Sequence, residues 1–422
     1  LKPPPPRQIS CRHNFCPFNR MARSYDLMLF GVTGFTGKLA AEYLSAKNYK
    51  IKWGVCGRSE KKVKDVLAEL QVECPVEVAD LAVEEKSEGF EKLRAVVNKT
   101  KVVITCAGPF EKYGQALLQL CAEEGVHYAD ITGESDFVRM MIEKFHLLAI
   151  RNGASIVPHC GNDCIPWDAT VHAMWQLAKK TGGVLTECQT YTELPPTAAA
   201  SGGTITTAVY QMSKTRKRED KGDQSFDPLV MSNTGDKSDF AMKNASPKSS
   251  VYVAEFDRKA GPWIMAPVMA NCVRRSNALL GYNGLFTYSD CQLAHESTWT
   301  WLKETAFTGL VAASLTITPL QRFVASPGEG PERDVMEAGW LRVHGRGLIT
   351  AGGARKKVSS TYTFTKDTGY LQTAHMLVES GMLLVEAPCA KGVVTPAVAF
   401  GSRIVQRLEA AIDAKLVIEE RE

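Results

Sequence analysis

The chain has 422 residues, 45% hydrophobic and 23% charged, the composition of a globular protein long enough for two or three domains of about 150 residues. Its 50 basic and 46 acidic side chains leave a net charge of +4, too balanced for a nucleic-acid surface. Twelve cysteines include no Cys-x-x-Cys pair and no Cys/His set with zinc-ligand spacing, so no metal is expected and the thiols read as reduced and mostly buried.

Residues 1–21 open with four prolines and carry arginines but no apolar stretch. They read as a disordered extension, not a signal peptide, with Met21 in position for a natural start. A cytoplasmic location is the simplest expectation. Arg7, Arg12 and Arg20 keep mitochondrial import open as an alternative.

Asp26 to Phe30 is a short apolar run, the pattern of a strand buried on both faces of a parallel sheet. Gly31, Gly34 and Gly37 follow at a spacing of three, and Lys38 to Lys47 reads as a helix. Strand, glycine turn and helix in that order give the setting of a dinucleotide site. Gly31 permits the tight turn, Gly34 admits the backbone to a pyrophosphate, and Gly37 lets the helix pack closely. Thr33, Phe35 and Thr36 lie in the same turn, and the free N–H groups at the helix start would hold the anion.

A second strand, Ile51 to Cys56, ends in Gly57-Arg58-Ser59, the position that separates NAD from NADP. A basic residue there suits a 2′-phosphate, and Arg58, Ser59 and Lys62 point to NADP ahead of NAD. Glu60 is the competing feature, since an acid can serve a ribose hydroxyl. A third strand, Val76 to Ala79, leads to Asp80, either an adenine-side contact or a helix cap. A fourth, Lys101 to Cys106, ends in Ala107-Gly108-Pro109, expected beside the ribose and nicotinamide because ligands sit at the carboxyl ends of parallel strands. Tyr113 follows at the next helix start. Strands at Tyr128–Ile131 and Ala154–Pro158 complete six strand–helix alternations, and with the next helix they define a doubly wound α/β domain over 22–180. His159 reads as a packed or hydrogen-bonded residue, and Asp163 as either a helix cap or a pocket carboxylate.

From Val184 the pattern changes. Leu185 to Glu193 alternates like a strand, 204–212 reads as a helix after a small-residue turn, and 214–250 is a polar insertion. Strand-like runs at Thr298–Leu302, Trp340–His344 and Val358–Phe364 lack regular helices between them, which predicts a second, mixed domain over 181–370. The apolar run Ala306 to Leu320 is shorter than the ~20 residues of a membrane span, so no stable span is expected; it reads as a buried segment or subunit contact ahead of a lipid-surface contact. Residues 371–422 read as C-terminal helices, at Leu371–Leu384 and Thr395–Leu408, with Gly392 to Thr395 between them free to face a cleft.

The motifs GVTGFTGKLAAEYL (31–44), CGRS (56–59), CAGPFEKYG (106–114), YADITGE (128–134), GNDCIPWD (161–168), VRRS (273–276) and DTGYLQTAHML (367–377), in this order, resemble the saccharopine dehydrogenase-like oxidoreductases, which include trans-acting enoyl reductases. The resemblance implies a Rossmann domain joined to a mixed α/β domain that often mediates dimerisation, hence a homodimer, with the last helices returning to the first domain. It also implies hydride transfer between NADP and a C=N, C=O or activated C=C bond of a small or lipid-like substrate in an interdomain cleft. Family members usually carry Gly-Phe-Asp-Ser-Ile-Pro where this chain has Gly161-Asn162-Asp163-Cys164-Ile165-Pro166. Tyr113 and Asp163 are the candidate proton donors. Arg274 and Arg275 are the close basic pair available for a polycarboxylate such as saccharopine. The alternative from another class is a non-catalytic NADP(H)-binding sensor or scaffold at lipid surfaces.

Overall fold

The computed structural model describes residues 23–195, 249–263, 265–294, 328–387 and 389–421. The N-terminal extension, the 204–212 run, nearly all of the polar insertion, the 298–302 run and the apolar run 306–320 lie outside the described residues.

The first lobe alternates β1 (Tyr25–Phe30), α1 (Phe35–Lys47), β2 (Trp53–Gly57), α2 (Glu60–Glu69), β3 (Val76–Val78), α3 (Glu88–Val97), β4 (Thr100–Thr105), α4 (Phe110–Glu124), β5 (His127–Asp130), α5 (Ser135–Asn152), β6 (Ser155–Val157) and α6 (Ile165–Lys180). The strands pair in parallel in the order β6-β5-β4-β1-β2-β3. Along β1, Leu27 and Leu29 enter the core on one face, Met28 and Phe30 the core on the other. All four are at most 1% exposed, so each contributes about 1.5–3 kcal/mol of burial. Chain order reverses at β1, between β2 and β4, which leaves a crevice at their carboxyl ends.

The second lobe is built from β7 (Val184–Glu193), β8 (Val251–Val253), β9 (Arg258–Gly261), α7 (Ala266–Leu280), β10 (Thr287–Leu293), α8 (Arg333–Glu337), β11 (Leu341–Ala351) and β12 (Ala354–Phe364). The chain then returns to the first lobe as α9 (Leu371–Glu386) and β13 (Gly392–Val393), followed by α10 (Pro396–Phe400) and α11 (Ser402–Ala411), and closes in the second sheet as β14 (Ala414–Arg421). That sheet runs β14-β12-β11-β7-β10-β9-β8 and is mixed: β7 and β10 are parallel, the other pairs antiparallel. The fold is therefore the expected Rossmann sheet plus a second mixed sheet.

Three local readings differ. Gly392 and Val393 do not face a cleft; they extend the first sheet beside β6. The helix expected over 395–408 breaks at Gly401, whose φ of 57° and ψ of −139° lie outside helical space. Residues 414–421 form a strand on β12, where Leu416 and Ile418 are the inward alternates, so pairing overrides the helical composition of AKLVIEER. Helix α9 packs on α1, β1, β4 and β5. Its buried Glu379 accepts from Tyr43 Oη at 2.6 Å and from Tyr49, and pairs with Arg407 Nε at 2.6 Å, tying α1, α9 and α11 together. Among the described residues, no helix is long and apolar enough to cross a membrane.

Candidate functional site

The glycine turn between β1 and α1 is fixed from below. Gly31 has φ of 90°, and a Cβ there would sit 2.8 Å from the Ala107 nitrogen, so the turn lies directly on the β4 loop. A Cβ on Gly37 would overlap the Gly31 carbonyl oxygen. Gly34 differs: a Cβ there meets only the Gly31 oxygen, at 3.3 Å. Gly34 is also the N-cap of α1, with no side chain capping the helix. The N–H groups of the first turn are thus left for an acceptor.

The other nearby helix start is occupied. Glu134, from the β5–α5 connection, accepts from Phe110 N at 2.7 Å and Glu111 N at 2.9 Å, which caps α4 internally. Of these two helix starts, that of α1 is the one open to a diphosphate.

A cavity of about 1600 Å³ runs along the carboxyl ends of the strands, and residues of the second lobe also line it. Gly31, Thr33, Gly34, Phe35, Thr36, Arg58, Ser59, Lys62, Asp80, Ala107, Gly108, Pro109, Tyr113 and Asp163 all line it. Gly37 does not; it is buried behind the turn and serves the packing of α1. Arg58 is exposed, and among the described residues no carboxylate or hydrogen-bond acceptor meets its guanidinium. Glu60, the competing acid, is drawn to Lys64 at 2.6 Å and stands off the cavity wall. Ser59 caps α2, accepting from Lys62 N at 3.4 Å. Asp80 Oδ1 accepts from Ala82 N at 3.0 Å while the residue stays on the wall. These residues fit a phosphorylated dinucleotide: an open glycine turn, an uncapped helix, and an unneutralised arginine at the end of β2.

Of the two roles left open for Asp163, the geometry takes the pocket carboxylate. The N-cap of α6 is Cys164, with no side-chain cap. Asp163 is half-buried and accepts from Asn162 Nδ2 at 3.0 Å, and its enclosure pushes its pKa up to about 6. Tyr113 lies in the first turn of α4 with the Lys112 ammonium 5.0 Å from its ring centre. His159 is packed, as expected: its Nδ1 bonds the Thr132 carbonyl at 2.6 Å, and burial lowers its pKa to about 4, so it is neutral.

Arg274 and Arg275 are not at the cavity. Both are buried in α7, where Arg274 reaches the Tyr288 carbonyl at 3.3 Å and Arg275 the Val393 carbonyl at 3.4 Å. They serve structure, not a substrate carboxylate. The lining also includes apolar side chains that the sequence did not reveal as part of the site: Trp167, Leu194, Trp263, Met265, Val268 and Leu341. Trp167 Nε1 donates to Thr192 Oγ1 at 3.1 Å, and its ring lies 5.1 Å from that of Trp263. The sequence signal that existed was Trp167 inside the quoted GNDCIPWD motif. Among the described residues, the cavity's cations are Arg58, Lys62 and Lys112, and no group of three or more His, Cys, Asp or Glu could hold a metal ion.

Comparison with known proteins shows the family and the fold. A family model described as the saccharopine dehydrogenase NADP binding domain matches residues 27–157. A Mycobacterium tuberculosis protein named among the trans-acting enoyl reductases is 31% identical, over 92% of this chain and 96% of its own. A trans-acting enoyl reductase of Mycobacterium ulcerans is 29% identical over the same shares. Among solved structures, apo saccharopine dehydrogenase (L-Glu forming) from Saccharomyces cerevisiae shares the fold with a TM-score of 0.54 at 12% identity, covering 94% of this chain and all of that one.

Proposed function

Since this chain belongs to the saccharopine dehydrogenase-like family of NADP-binding oxidoreductases, we propose that it transfers hydride between NADPH and an apolar substrate in the cavity between its lobes, with a C=C bond conjugated to a carbonyl as the favoured acceptor and C=O and C=N bonds as the other candidates. One observation carries this reading: the same cavity is lined both by the phosphate-seating turn and by tryptophan and aliphatic side chains. Among the described residues, a polycarboxylate would find only Lys112 beyond Arg58 and Lys62, which this reading gives to the 2′-phosphate, and Arg274 and Arg275 are buried elsewhere. The names of the mycobacterial relatives support the C=C choice.

In this reading the backbone of 31–36 and the start of α1 hold the diphosphate, Arg58 and Lys62 the 2′-phosphate, and Ala107 to Pro109 form the ledge for the nicotinamide ribose. Bound NADPH supplies the hydride. Trp167, locked by Thr192, and Trp263 exclude water and orient the substrate's apolar part. Reduction of a conjugated C=C adds hydride to the β-carbon and a proton to the α-carbon. The proton comes from a carboxyl oxygen of Asp163, with the Tyr113 hydroxyl as the other donor at this wall. A homodimer through the second lobe and a cytoplasmic location belong to the same reading on family grounds.

The test is NADPH consumption against enoyl thioesters, ketones and imine-forming pairs, saccharopine precursors included. Turnover with apolar enoyl substrates is expected. NADPH binding with no consumption by any of them would replace the enzyme with a nucleotide-binding scaffold.

A further inference from the structure

We infer that Glu134 is a positioning residue, holding the nicotinamide ledge and the two candidate proton donors in one mutual geometry. The inference rests on the oxidoreductase reading and adds a role for a residue that neither motif spacing nor cofactor recognition assigns. Glu134 is 4% exposed, and its carboxylate bridges the Phe110 and Glu111 nitrogens at 2.7 and 2.9 Å. Those nitrogens begin α4, directly after the Gly108–Pro109 ledge and one turn ahead of Tyr113, whose N–H donates to the Pro109 carbonyl at 3.0 Å. One carboxylate therefore sets both the ledge and the helix turn that carries Tyr113.

The connection holding Glu134 also reaches Asp163. Glu134 N donates to Thr132 Oγ1 at 3.0 Å, and the Thr132 carbonyl is bonded by His159 Nδ1 at 2.6 Å. Asp130 Oδ1 accepts from Thr132 N at 3.0 Å and His159 N at 3.3 Å, and the Asp130 carbonyl accepts from Cys160 N at 2.7 Å. The His159 carbonyl in turn accepts from Cys164 N at 3.0 Å, closing the turn that presents Asp163. Tyr113 and Asp163 share no hydrogen bond with each other. Their relative placement is set through this buried connection, and Glu134 is the link on the α4 side.

Two substitutions test this, each read by turnover, by NADPH affinity, and by the emission of bound NADPH, which reports how the nicotinamide is seated. Glu134→Gln keeps the shape and one acceptor; Glu134→Ala removes both. A misplacement of about 1 Å costs on the order of 100-fold in rate, so Glu134→Ala should lose about 100-fold in kcat and Glu134→Gln about tenfold. NADPH affinity should stay within about threefold in both, because the diphosphate and 2′-phosphate contacts are untouched. The emission of bound NADPH should shift toward that of the free coenzyme in Glu134→Ala and stay near wild type in Glu134→Gln. If Glu134→Ala fails to fold, the tenfold loss in Glu134→Gln at unchanged affinity carries the inference. Unchanged kcat, or kcat and affinity falling together in both variants, overturns it. If the wild type turns over no substrate, the proposed function fails, and the emission comparison still decides whether Glu134 seats the nicotinamide.

Discussion

The carbonyl oxygen of Gly31 occupies the place where a side chain on Gly37 would begin, whereas the same construction on Gly34 meets that oxygen at 3.3 Å, a tight contact that a small local shift relieves. Glycines three residues apart therefore do different work. Gly37→Ala should destabilise the fold by about 1–3 kcal/mol or more, because the obstacle is backbone that cannot rotate away. Gly34→Val should keep stability within about 1 kcal/mol of wild type yet abolish measurable NADPH binding. Denaturant unfolding and coenzyme titration of the two variants, side by side, check the division.

Arg58 ends β2 with no acidic partner among the described residues, and Glu60 is held by Lys64. Arg58→Glu should weaken NADPH by about 10–100-fold, the value of a charge-assisted contact, while NADH binding is spared or improved. Equal loss of both coenzymes would remove Arg58 from the 2′-phosphate.

Asp163 offers a pH signature. Its pKa is raised from 3.8 to about 6 by its enclosure, so the donor is half protonated near pH 6, nearly fully protonated a unit below, and falls toward tenfold per unit well above it. The reductive rate should follow that decline. Asp163→Asn should lose about 100-fold or more in kcat together with the pH dependence near 6, whereas Tyr113→Phe should keep that dependence if Asp163 is the donor. A wild-type profile flat through this range would shift the role to Tyr113.

His172 gives a stability signature away from the cavity. It is 4% exposed in α6, and burial lowers its pKa from 6.5 to about 4. A depressed pKa means the stability is present above 6.5 and is lost as pH falls through that value toward 4. Relative to His172→Leu, wild type should lose about 2 kcal/mol between pH 7 and pH 5. Asp130 and Asp290, raised to about 7 and about 8, act in the opposite sense in both proteins, so the difference between the two unfolding curves is the quantity to measure.

The first lobe was legible because its signals are local. A short apolar run such as Asp26 to Phe30, bounded by a glycine turn and a helix, fits a strand covered on both sides, and the distance from Gly37 to Arg58 follows from the length of one helix and one strand. Even there α1 begins at Phe35, three residues before the helix start read at Lys38. The second lobe was less legible because its order comes from partners far apart in sequence. β14 is a strand only because β12 lies beside it, 50 residues upstream at the Phe364–Ala414 pair. Trp263 and Met265 become a cavity wall only once α7 is docked on α6. Arg274 and Arg275 looked like a ligand clamp because nothing in the sequence marks a charged residue as buried against backbone carbonyls.

The return of α9 to the first sheet bears on how the protein is made. Gly381 approaches Leu27 and Ile104 so closely that a Cβ would lie 2.9 and 2.7 Å from their side chains. Those two residues are translated more than 260 positions before the helix that shields them. Until residues 371–386 emerge from the ribosome, that strip of the nascent N-terminal half stays greasy and bare, a target for chaperones or for sticking to its neighbours. A truncation just past Gly182 should therefore aggregate, although it contains every residue assigned to the coenzyme.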